Sequence, residues 1–212
     1  RRYRKHDYVW WLGVLGKWQA KTPDPKTEHV TIAVSGSHGG QTVDFRRFAQ
    51  RGMTLLGMTK KFKDGILLFD DDLKDNIAQG DKNYLSILDK ADDYVARNNL
   101  DFPEEPEARV IQSDPECITN PILKLNLNKT NIRSIIWATG YSQDFSWLKV
   151  DTFDDSGKPR HVRGVSAEKG IYFIGLPWLS MRGSSFIWGV WKDAKYLSEH
   201  IAKKKIDSVQ VK

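Results

Sequence analysis

Apolar and polar positions recur along this chain at spacings that assign most of it to short helices and strands. Tyr8, Val9, Trp10, Trp11, Leu12, Val14, Leu15 and Trp18 crowd residues 6–20 and predict a short helix packed on one side. "AKTPDPKTE" (20–28), with two prolines, predicts a loop. "HVTIAV" (29–34) alternates Val30, Ile32 and Val34 and predicts a strand running into "SGSHGG" (35–40). In 41–52, Val43, Phe45, Phe48 and Ala49 share a helical face, and Gly52 is placed to end the helix. "MTLLGMT" (53–59) and "ILLF" (66–69) predict two strands joined through Asp64-Gly65. From Leu73 to Leu100, Tyr84, Leu85, Leu88, Ala91, Tyr94 and Val95 recur at three- and four-residue steps, the pattern of a long helix. The acidic, proline-rich 101–121 predicts irregular structure.

Strand patterns return at Ile132–Ala138 and at "GIYFIG", Gly170–Gly175. The last element is a helix in which Phe186, Val190, Ala194, Leu197 and Ile201 share one face. Ser184 or Ser185 offers its N-cap, and its final turns are rich in lysine. Interleaved strands and helices predict an α/β class with a mostly parallel sheet, and 72–121 reads as a helical insertion with an acidic surface.

Composition narrows the partners. The 212 residues suffice for one substantial domain or two small ones. No apolar stretch approaches the roughly 20 residues of a membrane span, and no membrane partner is expected. Arg1-Arg2-Tyr3-Arg4-Lys5 does not lead into a signal peptide, and Cys117 stands alone. One cysteine excludes an internal disulfide and a thiolate zinc cluster, so a reducing, cytoplasmic setting is expected. The net charge of +6 is unevenly spread. Residues 1–63 carry 13 basic and 4 acidic side chains, 64–120 carry 5 and 15, and 121–212 carry 15 and 8. This alternation describes separate surface regions rather than one phosphate-binding stripe, and argues against nucleic acid as a partner. The aromatic-dense start reads like the middle of a larger domain.

Among candidate chemistries, "VTIAVSGSHGGQTVDF" has the order strand, glycine loop, helix. Its Gly36-x-x-Gly39-Gly40 spacing is neither a dinucleotide fingerprint nor a P-loop, and a glycine turn is the plainer account. Ser37-His38 is not framed as a nucleophile elbow. His6, His29, His38, His161 and His200 lack metal-ligand spacing, and "FDDDLKD" (69–75) lacks the pattern of a calcium loop. The eight tryptophans, Trp137 above all, are expected mainly in the core. "GIYFIGLPWLSMRGSSFIWGVWKDA" points more clearly to a ligand. A strand ends at Gly175, and a serine turn opens a helix whose first turn, started at Ser184 or Ser185, carries no acidic side chain. Such an end is free to meet an anionic or carbonyl-rich ligand.

Ala138-Thr139-Gly140-Tyr141 followed by "GIYFIG" and a C-terminal helix resembles the flavin-containing monooxygenases, flavoproteins with two dinucleotide-binding domains. "RRYRKHDYVWWL", "GGQTVDFRRFAQRGMTLLG", "DFSWL", "RGVS", "GLPW" and "GVWKDAKYLSEHI" resemble a bacterial branch of such oxidoreductases. Neither Gly-x-Gly-x-x-Gly fingerprint of that family occurs here. The resemblance therefore implies the C-terminal portion of a Rossmann-like flavoprotein, inactive by itself. Residues 1–137 would complete an NADPH-binding domain and 138–212 an FAD-binding domain. It further implies that Thr139, Gly140 and Tyr141 lie at the domain crossing beside FAD, and that Gly175 and Leu176 end the second strand near the flavin. Ser184, Ser185 and Phe186 would open a helix toward the pyrimidine edge, where its N–H groups stabilise the negative charge of the reduced ring. Arg1, Arg2 and Arg4 would approach the NADPH 2′-phosphate or simply be solvated. The implied reaction uses NADPH to reduce FAD; oxygen then forms a flavin hydroperoxide that oxygenates a small organic substrate. A flavin reductase or oxidase is the second enzyme reading. An interaction or dimerisation module, forming a homo-oligomer, is the non-enzyme alternative.

Overall fold

The computed structural model describes residues 2–21 and 43–210, with the side chains of 205–210 left aside. The predicted strand 29–34, the glycine loop 35–40 with Ser37 and His38, and Arg1 lie outside the described residues. Contacts group the chain into two units. One takes 1–11 and 31–138, and the other 12–30 and 139–212.

In the first unit a tight hairpin pairs β1 (Arg2–Tyr3) with β2 (His6–Asp7) through Arg4 and Lys5, both at positive φ. Helix α1 (Tyr8–Val14) follows directly and contributes its first turn to this unit. Helix α2 (Phe45–Gln50) is shorter than its apolar pattern. Asp44 caps it by accepting from the N–H groups of Arg46 and Arg47. Paired bonds from Gly52 N–H to Ala49 O and Met53 N–H to Phe48 O close it, with Gly52 at φ 95°.

Strand β3 (Thr59–Lys63) begins where the predicted strand ends, and pairs antiparallel with β4 (Ile66–Phe69). Asp64 (φ 52°) and Gly65 (φ 75°) form the turn, whose left-handed pair matches the twist of the flanking strands. β5 (Lys124–Asn126) completes the sheet β3-β4-β5. The 25-residue helix α3 (Leu73–Arg97) buries Leu73, Leu88, Ala91 and Val95 at helical spacing. Leu55, Leu73 and Ile118 from α4 (Glu116–Thr119) form an apolar centre on which Ala49, Ile77 and Cys117 pack. A second centre is aromatic. Trp11, 1% exposed, donates Nε1–H to Tyr3 O at 2.9 Å, and its ring lies near those of Tyr94, Phe102 and His6.

Much of the predicted acidic surface is engaged in ion pairs. The buried Arg46 reaches Asp81 at 2.8 Å and Asp114 at 2.7 Å. Asp92 accepts from Tyr3 Oη at 2.7 Å, Arg4 Nε at 2.6 Å and Arg109 at 2.5 Å. Burial opposes its charge, but these donors outweigh burial and hold the carboxyl below its usual range.

In the second unit a 3-10 turn (Lys17–Gln19) precedes a hairpin of β6 (His161–Val162) and β7 (Val165–Ser166). Phe145, Phe153 and Phe173 form an aromatic trio with ring centroids 5.6–6.4 Å apart. A 3-10 turn (Arg182–Ser185) leads to α5 (Val190–Gln210), which buries Asp193 and Leu197.

The fold is thus mixed α and β, but its described sheets are small and antiparallel. The expected mostly parallel sheet does not appear among the described residues. Residues 132–138 form no helix or strand, and Ile135, Ile136 and Trp137 are 52%, 89% and 74% exposed. Residues 170–175 make only an isolated bridge, Tyr172 to Val165. A central parallel strand needs partners on both edges and cover on both faces; among the described residues 132–138 has no strand partner, and 170–175 meets only the β6–β7 hairpin, with Phe173 buried and Ile174 exposed. The expected aromatic core is corrected for the same reason: Trp11 is buried, whereas Trp137, Trp147, Trp188 and Trp191 are exposed. No described helix is long and apolar enough to cross a membrane.

Candidate functional site

Thr139, Gly140 and Tyr141 are all exposed, and Tyr141 projects fully into solvent. Gly140 sits at φ 90°, a conformation favouring glycine, and a Cβ there would meet nothing within 4 Å. Gly175 repeats this state, with φ 77° and open space around its Cα. Gly140 is exposed and Gly175 half-buried. Leu176 is half-buried, and its carbonyl accepts from Leu179 N–H at 3.2 Å.

The serine turn behaves differently. Helix α5 starts at Val190, five or six residues after the expected cap. Ser184 is instead fully buried and its Oγ accepts from the N–H groups of Ser180 and Met181, each at 3.1 Å. Ser184 N–H donates to Met181 O, and Phe186 N–H to Gly183 O. These donors are consumed within the turn, so no helix end opens at Ser184, Ser185 or Phe186. Ser185 is exposed, and Phe186, 42% exposed, lies 5.1 Å from the Trp18 ring. The expected acid-free first turn is corrected too, because the true first turn of α5 contains Asp193.

No hydrogen bond or ring contact among the described residues joins Thr139, Gly140 or Tyr141 to Gly175, Leu176 or the serine turn. A cavity of about 490 Å³ between the β6–β7 hairpin and α5, lined by His161, Val165, Tyr196 and His200 among others, includes none of them. Burial alone pushes His161 below the usual imidazole range. Arg4 is not free to meet a phosphate: besides Asp92, its Nη1 reaches the carbonyls of Phe102 and Pro103 at 3.3 Å. Among the described residues, no group of three or more His, Cys, Asp or Glu side chains is placed to hold a metal ion.

Sequence reasoning missed one charged centre, formed by Asp193, Ser180 and Arg163. Asp193 is 0% exposed and accepts from Ser180 Oγ at 2.5 Å, and Arg163 Nε lies 4.0 Å from the same carboxylate oxygen. The signal was the acidic residue in "VWKDA", masked once the helix was started at the serines.

Comparison with known proteins relates part of the chain to oxidoreductases. Over 93 residues, 43% of this chain, it is 47% identical to an uncharacterized CzcO-like oxidoreductase of Geobacillus kaustophilus. Over 79 residues, 37% of the chain, it is 42% identical to an uncharacterized oxidoreductase CzcO of Bacillus velezensis. The corresponding Bacillus subtilis protein is 40% identical over the same length. The matched segments span 27%, 23% and 23% of these curated relatives. No family model matches, and no solved structure does. The likeness supports an oxidoreductase relationship in general terms.

The residues fit a flavin unevenly. Gly140 and Gly175 hold left-handed backbone, and a Cβ added at either meets nothing within 4 Å. The serine turn offers no free helix end.

Proposed function

We propose that this chain forms part of an FAD- and NADPH-dependent oxidoreductase of the monooxygenase type acting on a small organic molecule. The observation that carries the reading is the pair of left-handed, unobstructed glycines, Gly140 and Gly175. The partial likeness to bacterial proteins named as oxidoreductases supports it. Thr139 to Tyr141 and Gly175 to Leu176 would line the flavin with backbone, and Ser185 and Phe186 would flank it with exposed side chains. When bound, FAD supplies the redox chemistry, taking reducing equivalents from NADPH and passing them to oxygen. The chain's own contribution is positional. Two glycines admit the ring, Tyr141 shields it, and the buried Ser184 keeps the second loop in shape. In this reading 132–138 and 170–175 each pair with further strands of a Rossmann-like sheet, which cover their exposed apolar side chains.

The exposed Ile187, Trp188 and Trp191 favour a second reading, a non-catalytic module that associates through this apolar surface. FAD titration of the intact protein, followed by flavin absorbance and by NADPH oxidation, separates the two. Flavin bound and reduced by NADPH is expected. A colourless protein that oligomerises without flavin would favour the module. Oxygenated product rather than bare hydrogen peroxide distinguishes a monooxygenase from an oxidase.

A further inference from the structure

Three separate fastenings hold the segments that flank Gly175. The β6–β7 turn, Arg163 (φ 50°) and Gly164 (φ 84°), is tied to Phe173, whose N–H donates to Gly164 O at 2.7 Å. A Cβ at Gly164 would lie 2.4 Å from Phe173 O, so only glycine permits this approach. The end of the 175–186 loop meets the residue before α5, where a Cβ at Gly189 would lie 2.3 Å from Gly183 O. Between these stands Asp193. Its Oδ1 accepts from Ser180, while its buried Oδ2 has no hydrogen-bond partner among the described residues.

An unpaired oxygen on a buried carboxylate is costly, and a packed apolar side chain would fill the same volume without that cost. Among the described residues, the cation that reaches this carboxylate is Arg163, 4.0 Å from Oδ1, with its guanidinium 4.1 Å from the centre of the Tyr196 ring. That stacking holds the planar fork beside the carboxylate while leaving its outer edge in solvent. We propose that Asp193 is a positioning residue, which holds the 175–186 loop through Ser180 and pairs with the Arg163 guanidinium through its carboxylate. Hairpin turn, loop and α5 then move as one piece, and Gly175 is fixed in its left-handed state. The link to flavin binding rests on the reading proposed above; the fastening itself does not.

The test uses the intact protein and the variants Arg163→Gln, Arg163→Lys, Ser180→Ala and Asp193→Asn. Arg163 is partly exposed, so its variants fold even if Asp193→Asn does not. Amide exchange at Ser180 and Met181 is expected to quicken about tenfold in Arg163→Gln and Ser180→Ala. The Kd for FAD is expected to rise by a similar factor, with Arg163→Lys restoring most of both. Unchanged exchange in Arg163→Gln and Ser180→Ala overturns the proposal, whatever the flavin does. Faster exchange in a protein that binds no FAD upholds the fastening and removes the flavin reading instead.

Discussion

Replacing Asp92 with alanine isolates the electrostatic tie that holds the N-terminal hairpin to α3. The carboxylate takes hydrogen bonds from Tyr3, Arg4 and Arg109, and its side chain is 28% exposed. A hydrogen bond to a charged group contributes about 1.5–3 kcal/mol when well shielded. The Arg109 bond reaches solvent, with 36% of that side chain exposed, and belongs near the surface value of about 0–1 kcal/mol. Arg4 is 12% exposed and keeps two carbonyl partners after the change, so its guanidinium is not orphaned. The expected loss for Asp92→Ala is therefore about 2–3 kcal/mol, below the range for a fully buried pair. Asp92→Asn keeps an acceptor for Tyr3 and should cost about half as much. Urea unfolding followed by tryptophan fluorescence measures this, because Trp11 is hydrogen-bonded to Tyr3. The effect must also depend on pH. A carboxyl held below its unfolded pKa stabilises the fold above about pH 4, and the contribution disappears as pH falls through the folded value. Wild type and Asp92→Ala should converge in acid. A loss under about 0.5 kcal/mol, or a difference that persists at low pH, would refute the reasoning.

Other positions give sharper local tests. Gly65→Val should cost about 2 kcal/mol or more in urea unfolding, because it adds strain at positive φ and places a Cβ 2.4 Å from Asn128 Nδ2. Asp44→Ala should cost about 1 kcal/mol by removing the cap of α2, and circular dichroism melting reads it. Arg46→Met removes the cation shared by Asp81 and Asp114 and should cost about 1–3 kcal/mol in urea unfolding. His161→Phe should relieve the loss of stability expected as pH falls through the depressed imidazole pKa, which acid titration of both proteins measures.

Features set by neighbours in sequence were legible. The Asp64-Gly65 turn, the Gly52 stop and the spacing of Leu88, Ala91 and Val95 need only local geometry, and all three stand in the structure. Features that depend on distant partners were not. Ile135-Ile136-Trp137 has the composition of a central strand, yet pairing requires edges that those residues cannot specify. Nothing in the sequence marks the ion pairs of Arg46, Arg4 and Arg109, because partners 35, 88 and 17 residues away leave no periodic trace. The start of α5 was misplaced because Ser184 does have capping chemistry. It spends that chemistry on Ser180 and Met181, and the Gly183–Gly189 approach delays the helix to Val190. Of the candidate site, the two glycines were legible as backbone positions, while the centre at Asp193 required the fold.

The central claim is that Gly140 and Gly175 give FAD its access to the backbone, and one measurement tests it most directly. Visible flavin absorbance of the intact protein is compared with that of Gly140→Val and Gly175→Val, each checked for native unfolding behaviour. Neither glycine has an atom within 4 Å of an added Cβ, and the strain that a side chain adds at their positive φ is read by the unfolding check. The account predicts a yellow wild-type protein, bleached by NADPH without oxygen, and variants that fold but lose FAD affinity by about tenfold or more. A colourless wild type, or valine variants that hold FAD as tightly as wild type, would contradict it.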